Sequence, residues 1–265
     1  MMTKDAPIAL FDSGVGGLTI AKEIIDEFPN EEIIYFGDTA HLPYGPRPQK
    51  EVRNFALEII NYFKKLDVKM VIIACNTATA ASLEVARKRF SFPIIGPIET
   101  GVEAAINKTE NNKVGVIATE GTIGSGAYQT ALIERLAEVE ISAKACSAFV
   151  PLVEEGQLYT RETKEVIREH LLPLKEEGVD TLLLGCTHFP YLSRSIKEVV
   201  GEDISLIYPG RSIALEVRSV LEEKNLTEGE IVCVFSEERF VEIAKITGEK
   251  EILARPESVL QPIRN

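Results

Sequence analysis

Residues 68–77 have the sequence VKMVIIACNT, and residues 179–188 have the sequence VDTLLLGCTH. Each segment is an apolar run of β-formers that stops at a cysteine and continues with hydroxyl, amide or imidazole side chains. Such a run predicts a buried strand, and open α/β sheets place their ligands at the carboxyl ends of such strands. The sequence therefore predicts that two strand ends deliver Cys75 and Cys186 in the same way. Two such thiols facing one pocket would form an acid/base pair.

Strand and helix patterns alternate along the rest of the chain. Strands are predicted at residues 8–11, 33–36, 68–75, 93–95, 113–118, 141–145, 181–186, 204–207 and 231–235. Helices are predicted at residues 18–28, 50–66, 78–90, 126–137, 161–177 and 212–224. This alternation predicts an α/β fold with mainly parallel sheets flanked by helices.

A duplication is the simplest account of the paired cysteines. They are 111 residues apart, and a similar offset of 107 relates Asp12 to Thr119, each of which follows an apolar run. The alternative is that any two βα units look alike. We predict two similar, pseudo-symmetric domains with the active site in the cleft between them. The first would contain residues 1–97 plus 208–265, with Asp12, Tyr44 and Cys75, and the second would contain residues 98–207, with Thr119, Glu154 and Cys186.

Composition and charge limit the classes of partner. The apolar fraction of 45% and the charged fraction of 26% are those of an ordinary globular protein. The formal net charge of -12 disfavours nucleic acid or an anionic membrane as a partner, because like charges repel. No apolar stretch is long enough to span a bilayer, and the start of the chain lacks a signal-peptide core. We expect a cytoplasmic protein whose four cysteines are free thiols.

Two loops after the first strands are candidate pocket walls. Residues 11–18, FDSGVGGL, lack the GxGxxG spacing of a dinucleotide site, but their glycines permit close backbone approach and a helix start can bind a carboxylate. The alternative is that Asp12 or Ser13 is only a helix N-cap. Residues 37–46, GDTAHLPYGP, predict an ordered wall or a tight turn with a Tyr over the core, and His41 is expected at the surface.

The two cysteine segments carry the strongest chemical signal. A helix N-terminus favours the thiolate, so we expect lowered thiol pKa values for Cys75 and Cys186. His188 and Asp12 are candidates to exchange protons with the thiols. The neutral donors that could hold carboxylates without Arg or Lys are Asn76, Thr77 and Thr187.

Other interpretations of the same residues stay open. Each cysteine by itself is typical of a small buried hydrophobe. A zinc site needs closely spaced ligands, which the scattered Cys75, Cys186, His188 and Asp12 lack, so no metal is expected. Glu154 lies between apolar residues and would either reach a pocket or lie in a surface turn.

Four motifs occur in the order FDSGVGGL, GDTAHLPYG, ACNTATA and GCTHFPYL, spanning Asp12 to Tyr191. Together they resemble the glutamate racemases, members of the cofactor-independent, two-cysteine Asp/Glu racemase superfamily. The resemblance implies Cys75 and Cys186 as the catalytic bases, assisted by Asp12, Glu154 and His188. The substrate contacts that it implies are Asp12, Ser13, Tyr44, Gly45, Asn76, Thr77, Thr187 and His188.

The function implied by the resemblance is an isomerase that interconverts L- and D-glutamate for peptidoglycan synthesis and needs no pyridoxal phosphate, metal or nucleotide. Racemisation needs a base on one face of Cα and an acid on the other, which two opposed thiols supply. By resemblance, Cys75 deprotonates D-glutamate and Cys186 deprotonates L-glutamate.

Alternatives to glutamate racemisation are an aspartate or other amino-acid racemase of the same superfamily, or a two-lobed binding or interaction protein. The Thr-His-Phe that follows Cys186 favours glutamate, and the paired cysteines favour an enzyme. The expected partner is a small-molecule substrate, and a homodimer is one of the oligomeric states left open.

Overall fold

The chain alternates strands and helices in the computed structural model, which describes residues 3–224 and 226 and the backbone of residues 233–234. The strands are β1 (Ile8–Asp12), β2 (Ile33–Gly37), β3 (Met70–Ile73), β4 (Ile94–Ile95), β5 (Lys113–Ala118), β6 (Glu140–Ala145), β7 (Thr181–Gly185), β8 (Ser205–Ile207) and β9 (Cys233–Val234). The helices are α1 (Leu18–Glu27), α2 (Gln49–Lys65), α3 (Asn76–Arg89), α4 (Pro97–Lys108), α5 (Glu120–Ser125), α6 (Ala127–Arg135), α7 (Phe149–Glu154), α8 (Arg161–Glu176), α9 (Ser193–Val200) and α10 (Gly210–Glu223). Short 3-10 helices lie at Thr39–His41 and Phe189–Leu192.

The strands form two parallel sheets with the same topology. The first sheet has the order β4-β3-β1-β2-β9 and the second has the order β6-β5-β7-β8. When the strands of each sheet are counted along the chain, both sheets show the order 2-1-3-4, and β9 extends the first sheet beside β2. The prediction of two similar α/β units with parallel sheets flanked by helices is confirmed. The shared order is the structural counterpart of the predicted duplication.

Most differences between predicted and observed elements concern helices. Every predicted strand segment contains an observed strand, although β3 is shorter than residues 68–75. The predicted strand at residues 231–235 is described only at 233–234, and the remainder lies outside the described residues. The helices α4, α5, α7 and α9 were not predicted. In α4, Pro97 occupies the first turn, because its fixed φ suits a helix start.

The central strands are buried on both faces, as continuous apolar runs predict. In β1, Ile8 and Leu10 pack into one hydrophobic cluster, whereas Ala9 and Phe11 pack into a second cluster on the other face. Each fully buried Ile, Leu or Phe side chain stabilises the fold by about 1.5–3 kcal/mol before chain entropy is counted. These two clusters hold the strands in place, and the polar residues lie at the ends of those strands.

One charge interrupts the apolar run that precedes Cys75. Lys69 is fully buried, and its Nζ forms an ion pair with Glu31 and donates to the carbonyl oxygen of Leu226 at 2.9 Å. Burial of an unpaired ammonium is costly, so this pairing is a condition of the fold. Within the described residues, no helix is long and apolar enough to cross a membrane.

Candidate active site

The two cysteines occupy equivalent places in the two sheets. Cys75 follows β3 and is the N-cap residue of α3, while Cys186 follows β7 directly. The strand order reverses between β1 and β3 in the first sheet and between β5 and β7 in the second, and α/β proteins bind ligands outside such switch points. Both residues are buried, at 5% and 7% exposure. Each cysteine therefore lies where the topology favours a ligand.

The Cys75 thiol is held as a protonated group. Its Sγ lies 3.9 Å from Ser13 Oγ. Burial, followed by the negative charge of Asp12, raises the pKa of Cys75 to about 12, and the backbone N–H of Ala78 opposes this only in part. The prediction of a lowered thiol pKa is wrong for Cys75, because desolvation outweighs the favourable helix end.

Cys186 belongs to a chain of three titratable groups. Its Sγ lies 3.7 Å from His188 Nδ1, and His188 Nε2 lies 2.6 Å from Glu154 Oε1. Burial alone lowers the pKa of His188, but hydrogen bonds to Cys186 and Glu154 and the nearby charges raise it to about 10. The imidazole therefore carries a proton at neutral pH. Glu154, predicted either at a pocket or in a surface turn, ends α7 and reaches the site with its carboxylate.

Asp12 joins the first sheet to the second cysteine segment. Its side chain is fully buried, and it accepts hydrogen bonds from the N–H of Gly14 at 3.0 Å and from Thr187 Oγ1 at 3.2 Å. Burial raises the pKa of Asp12, and the positive charge of His188 opposes this shift. The N-cap of α1 is Gly17, so neither Asp12 nor Ser13 occupies that position, although the backbone N–H of Gly17 donates a hydrogen bond to Asp12.

The glycines of residues 11–18 let the two halves of the site approach closely. A Cβ at Gly16 would lie 2.5 Å from Thr187 Oγ1 and 2.6 Å from His188 Nδ1, and one at Gly17 would lie 2.5 Å from Asp12 Cβ. These separations leave no room for a side chain. The close backbone approach predicted for this turn is present, and it is directed toward the second cysteine segment.

The predicted neutral donors are buried beside the cysteines. Asn76 Oδ1 accepts a hydrogen bond from Tyr128 at 2.6 Å. Thr77 Oγ1 lies 2.9 Å from Thr119 Oγ1 and 3.0 Å from Thr122 Oγ1, so three hydroxyls from both units form a triangle. Each hydroxyl can donate one proton and accept others, so the triangle can turn a donor toward a bound carboxylate.

The loop after β2, predicted as an ordered wall or a tight turn with a Tyr over the core, packs Tyr44 into a hydrophobic cluster of the first unit, and its role as a pocket wall stays a prediction. Tyr44 is almost fully buried, and its hydroxyl donates to Asp38 Oδ2 at 2.5 Å. His41 lies at the surface as expected, with Nδ1 2.8 Å from Asp38 Oδ1. Gly45 connects this loop to the second unit, because its carbonyl oxygen accepts a hydrogen bond from the N–H of Gly121 at 2.9 Å.

A cavity of about 260 Å³ opens beside this cluster, and the site residues that line it are Asn76, Cys186 and Thr187. Its other walls come from α1 and from residues 208–210. The fold brings together four predicted residues: Cys75, Cys186, Asp12 and His188. In the described part of the chain, no group of three or more metal-ligand side chains is arranged as a metal site.

Some residues that support the site were not predicted from the sequence. Asp38 belongs to the GDTAHLPYG motif, but only the fold shows that it is the hydrogen-bond partner of Tyr44. Thr122 and Tyr128 had no signal in the sequence, because each belongs to a helix with an ordinary pattern and meets its partner across the two units.

Comparisons with known proteins show the family to which the chain belongs. The family model described as Asp/Glu/Hydantoin racemase matches residues 19–216. The chain is 49% identical over 217 residues to a glutamate racemase from Lysinibacillus sphaericus, covering 82% of each protein. A glutamate racemase isoform from Bacillus anthracis has a similar structure, with a TM-score of 0.91, 38% identity, and coverage of 95% of this chain and 97% of that one. The glutamate racemase from Francisella tularensis, solved in complex with D-glutamate, gives a TM-score of 0.87 at 32% identity, covering 95% of this chain and 96% of that one.

Proposed function

Since this chain belongs to the Asp/Glu/hydantoin racemase family, we propose that it interconverts L- and D-glutamate by moving the Cα proton between Cys75 and Cys186. The D-glutamate would serve peptidoglycan synthesis. The observation that carries the proposal is the placement of two buried thiols at equivalent strand ends of two sheets with the same topology. A protein that only binds glutamate has no need of a second thiol, whereas proton exchange on two faces of Cα requires one.

The two thiols lie in different surroundings. A pKa of about 12 keeps Cys75 protonated at neutral pH, so it is placed to donate a proton to Cα. Cys186 is assigned as the base that removes the proton from L-glutamate, and its Sγ lies 3.7 Å from His188 Nδ1. In the reverse direction Cys75 must first lose its proton, for which the carboxylate of Asp12 is the nearby acceptor.

The protonation states must be reset after each turnover. His188 contacts Glu154, whose side chain is 26% exposed and therefore connects the buried imidazole to solvent. Asp12, buried near Cys75, is the group proposed to exchange a proton with that thiol. In this proposal Asp12, Glu154 and His188 assist the thiols and do not attack Cα.

The Cα proton of an amino acid is weakly acidic, so the site must stabilise the carbanion. Preorganised donors stabilise charge as it develops, and exclusion of water strengthens their effect. Asn76, Thr77 and Thr187 are buried neutral donors of this kind. Ser13, Tyr44 and Gly45 belong to the loops that complete the proposed substrate site.

Two features of the fold support the predicted domain limits. The last strand of the second sheet, β8, ends at Ile207, after which α10 packs against α1 and β9 pairs with β2. We therefore propose units of residues 1–97 plus 208–265 and residues 98–207. A cytoplasmic location is part of the same proposal.

A circular dichroism assay tests the function directly. Purified protein, dialysed against a chelator, is expected to change the ellipticity of L-glutamate and of D-glutamate toward zero without added cofactor. Aspartate is the matched control substrate, and glutamate is expected to react faster. Inactivity toward both glutamate enantiomers, or activity that returns only with added metal, would contradict the proposal.

A further inference from the structure

Tyr128 connects the two cysteine-bearing strand ends. It lies in α6, is fully buried, and donates a hydrogen bond from its hydroxyl to Asn76 Oδ1 at 2.6 Å. Its ring packs against Gly185, where a Cβ would lie 2.8 Å from Tyr128 Cε2. Asn76 follows Cys75 and Gly185 precedes Cys186, so one side chain contacts a neighbour of each thiol.

The hydrogen bond sets the orientation of the Asn76 amide. A buried hydroxyl proton needs an acceptor, and Asn76 Oδ1 is the acceptor of the Tyr128 hydroxyl. The Nδ2 group of Asn76 therefore points the other way, and no described residue accepts a hydrogen bond from it. Asn76 also lines the 260 Å³ cavity together with Cys186. An amide that flipped would present its oxygen to the cavity and repel a carboxylate.

We infer that Tyr128 is a positioning residue for the racemisation proposed above: it holds the Asn76 amide so that Nδ2 donates to a carboxylate of the substrate. The inference rests on the proposed function. Tyr128 itself acts only through Asn76 and does not contact the reacting atoms.

The test is a double-mutant cycle of Tyr128→Phe and Asn76→Ala, measured by circular dichroism on both enantiomers. Tyr128→Phe keeps the ring against Gly185 and removes the hydroxyl, and kcat/KM is expected to fall about 3- to 10-fold, the effect of losing one hydrogen bond. Because enantiomers have equal free energies in water, the fall must be the same for L- and D-glutamate. In the Asn76→Ala background, the same substitution is expected to change kcat/KM by less than about twofold, because coupled residues are not additive.

Tyr62→Phe is the matched control. Tyr62 is a partly buried tyrosine of α2 whose ring packs against Phe36 and Phe63, and no hydrogen bond of its hydroxyl occurs among the described residues. It is expected to keep the wild-type kcat/KM.

The outcomes separate the inference from the function. An active wild type with an unchanged Tyr128→Phe variant would overturn the inference alone. An equal fall in the wild-type and Asn76→Ala backgrounds would also overturn it, since Tyr128 would then act through packing. A wild type without racemase activity would overturn both proposals. Thermal unfolding of all variants shows whether the fold is retained.

Discussion

Gly16→Ala is expected to disable the site by pushing its two halves apart. The added Cβ would lie 2.5 Å from Thr187 Oγ1 and 2.6 Å from His188 Nδ1, whereas ordinary contact begins at 3.4 Å. The glycine turn and the second cysteine segment must therefore separate by roughly 0.9 Å, because packed atoms cannot interpenetrate. A misplacement of about 1 Å among catalytic groups costs about 100-fold in rate. We expect a loss in kcat/KM of that order.

The control is Gly124→Ala in α5, where an added Cβ meets nothing within 4 Å. It is expected to leave kcat/KM unchanged, because alanine suits an exposed helical position better than glycine. Both variants are assayed by circular dichroism with L-glutamate, and thermal unfolding verifies that each is folded. A folded Gly16→Ala variant with kcat/KM within about threefold of the wild type would refute the close approach as a requirement for activity.

Cys75→Ser and Cys186→Ser are both expected to abolish racemisation, because a hydroxyl is a far poorer base than a thiolate. A glutamate analogue with a β-leaving group needs only one proton removal. Cys186→Ser should therefore still eliminate the leaving group from the D-analogue, and Cys75→Ser from the L-analogue. Loss of elimination from the same enantiomer in both variants would contradict the two-base assignment. Glu154→Gln replaces the carboxylate whose hydrogen bond raises the pKa of His188 with a neutral amide, so the basic limb of the kcat/KM profile should move to lower pH, and an unmoved limb would argue against the contact. The pKa of His188 is raised from 6.5 to about 10. Protonated His188 should therefore contribute fully to the free energy of unfolding below pH 6.5, and this contribution should be lost as the pH rises to about 10. Urea unfolding at a series of pH values measures it. Thr187→Ala should reduce kcat/KM by about 1 to 3 kcal/mol in transition-state free energy, and an unchanged kcat/KM would count against a role of Thr187 in substrate binding.

Local patterns were sufficient to predict the strands and the residues at their ends. An apolar run such as that of β7 predicts a buried strand, and Cys186 then lies just after the carboxyl end of that strand. The same argument placed Cys75 after β3 and Asp12 at the end of β1. The roles of these residues stay predictions.

Helices with weak local patterns were missed. α7 has only six residues, and α4 begins with a Gly-Pro pair that also suits a turn. Packing against α6, α10 and β7 stabilises α4, although the local sequence pattern does not predict a helix there. Tertiary contacts override weak propensities of this kind.

The electrostatics of the site were decided by the tertiary structure. Sequence position suggested a lowered pKa for Cys75, but its burial and the charge of Asp12 raise that pKa instead. Glu154 and His188 are 34 residues apart within the second unit, and Tyr128 and Asn76 are 52 residues apart in different units, so both contacts depend on the tertiary fold. Secondary structure follows from the periodicity of neighbouring residues, whereas a pKa depends on every group that displaces water around the side chain, and most of those groups are distant in sequence.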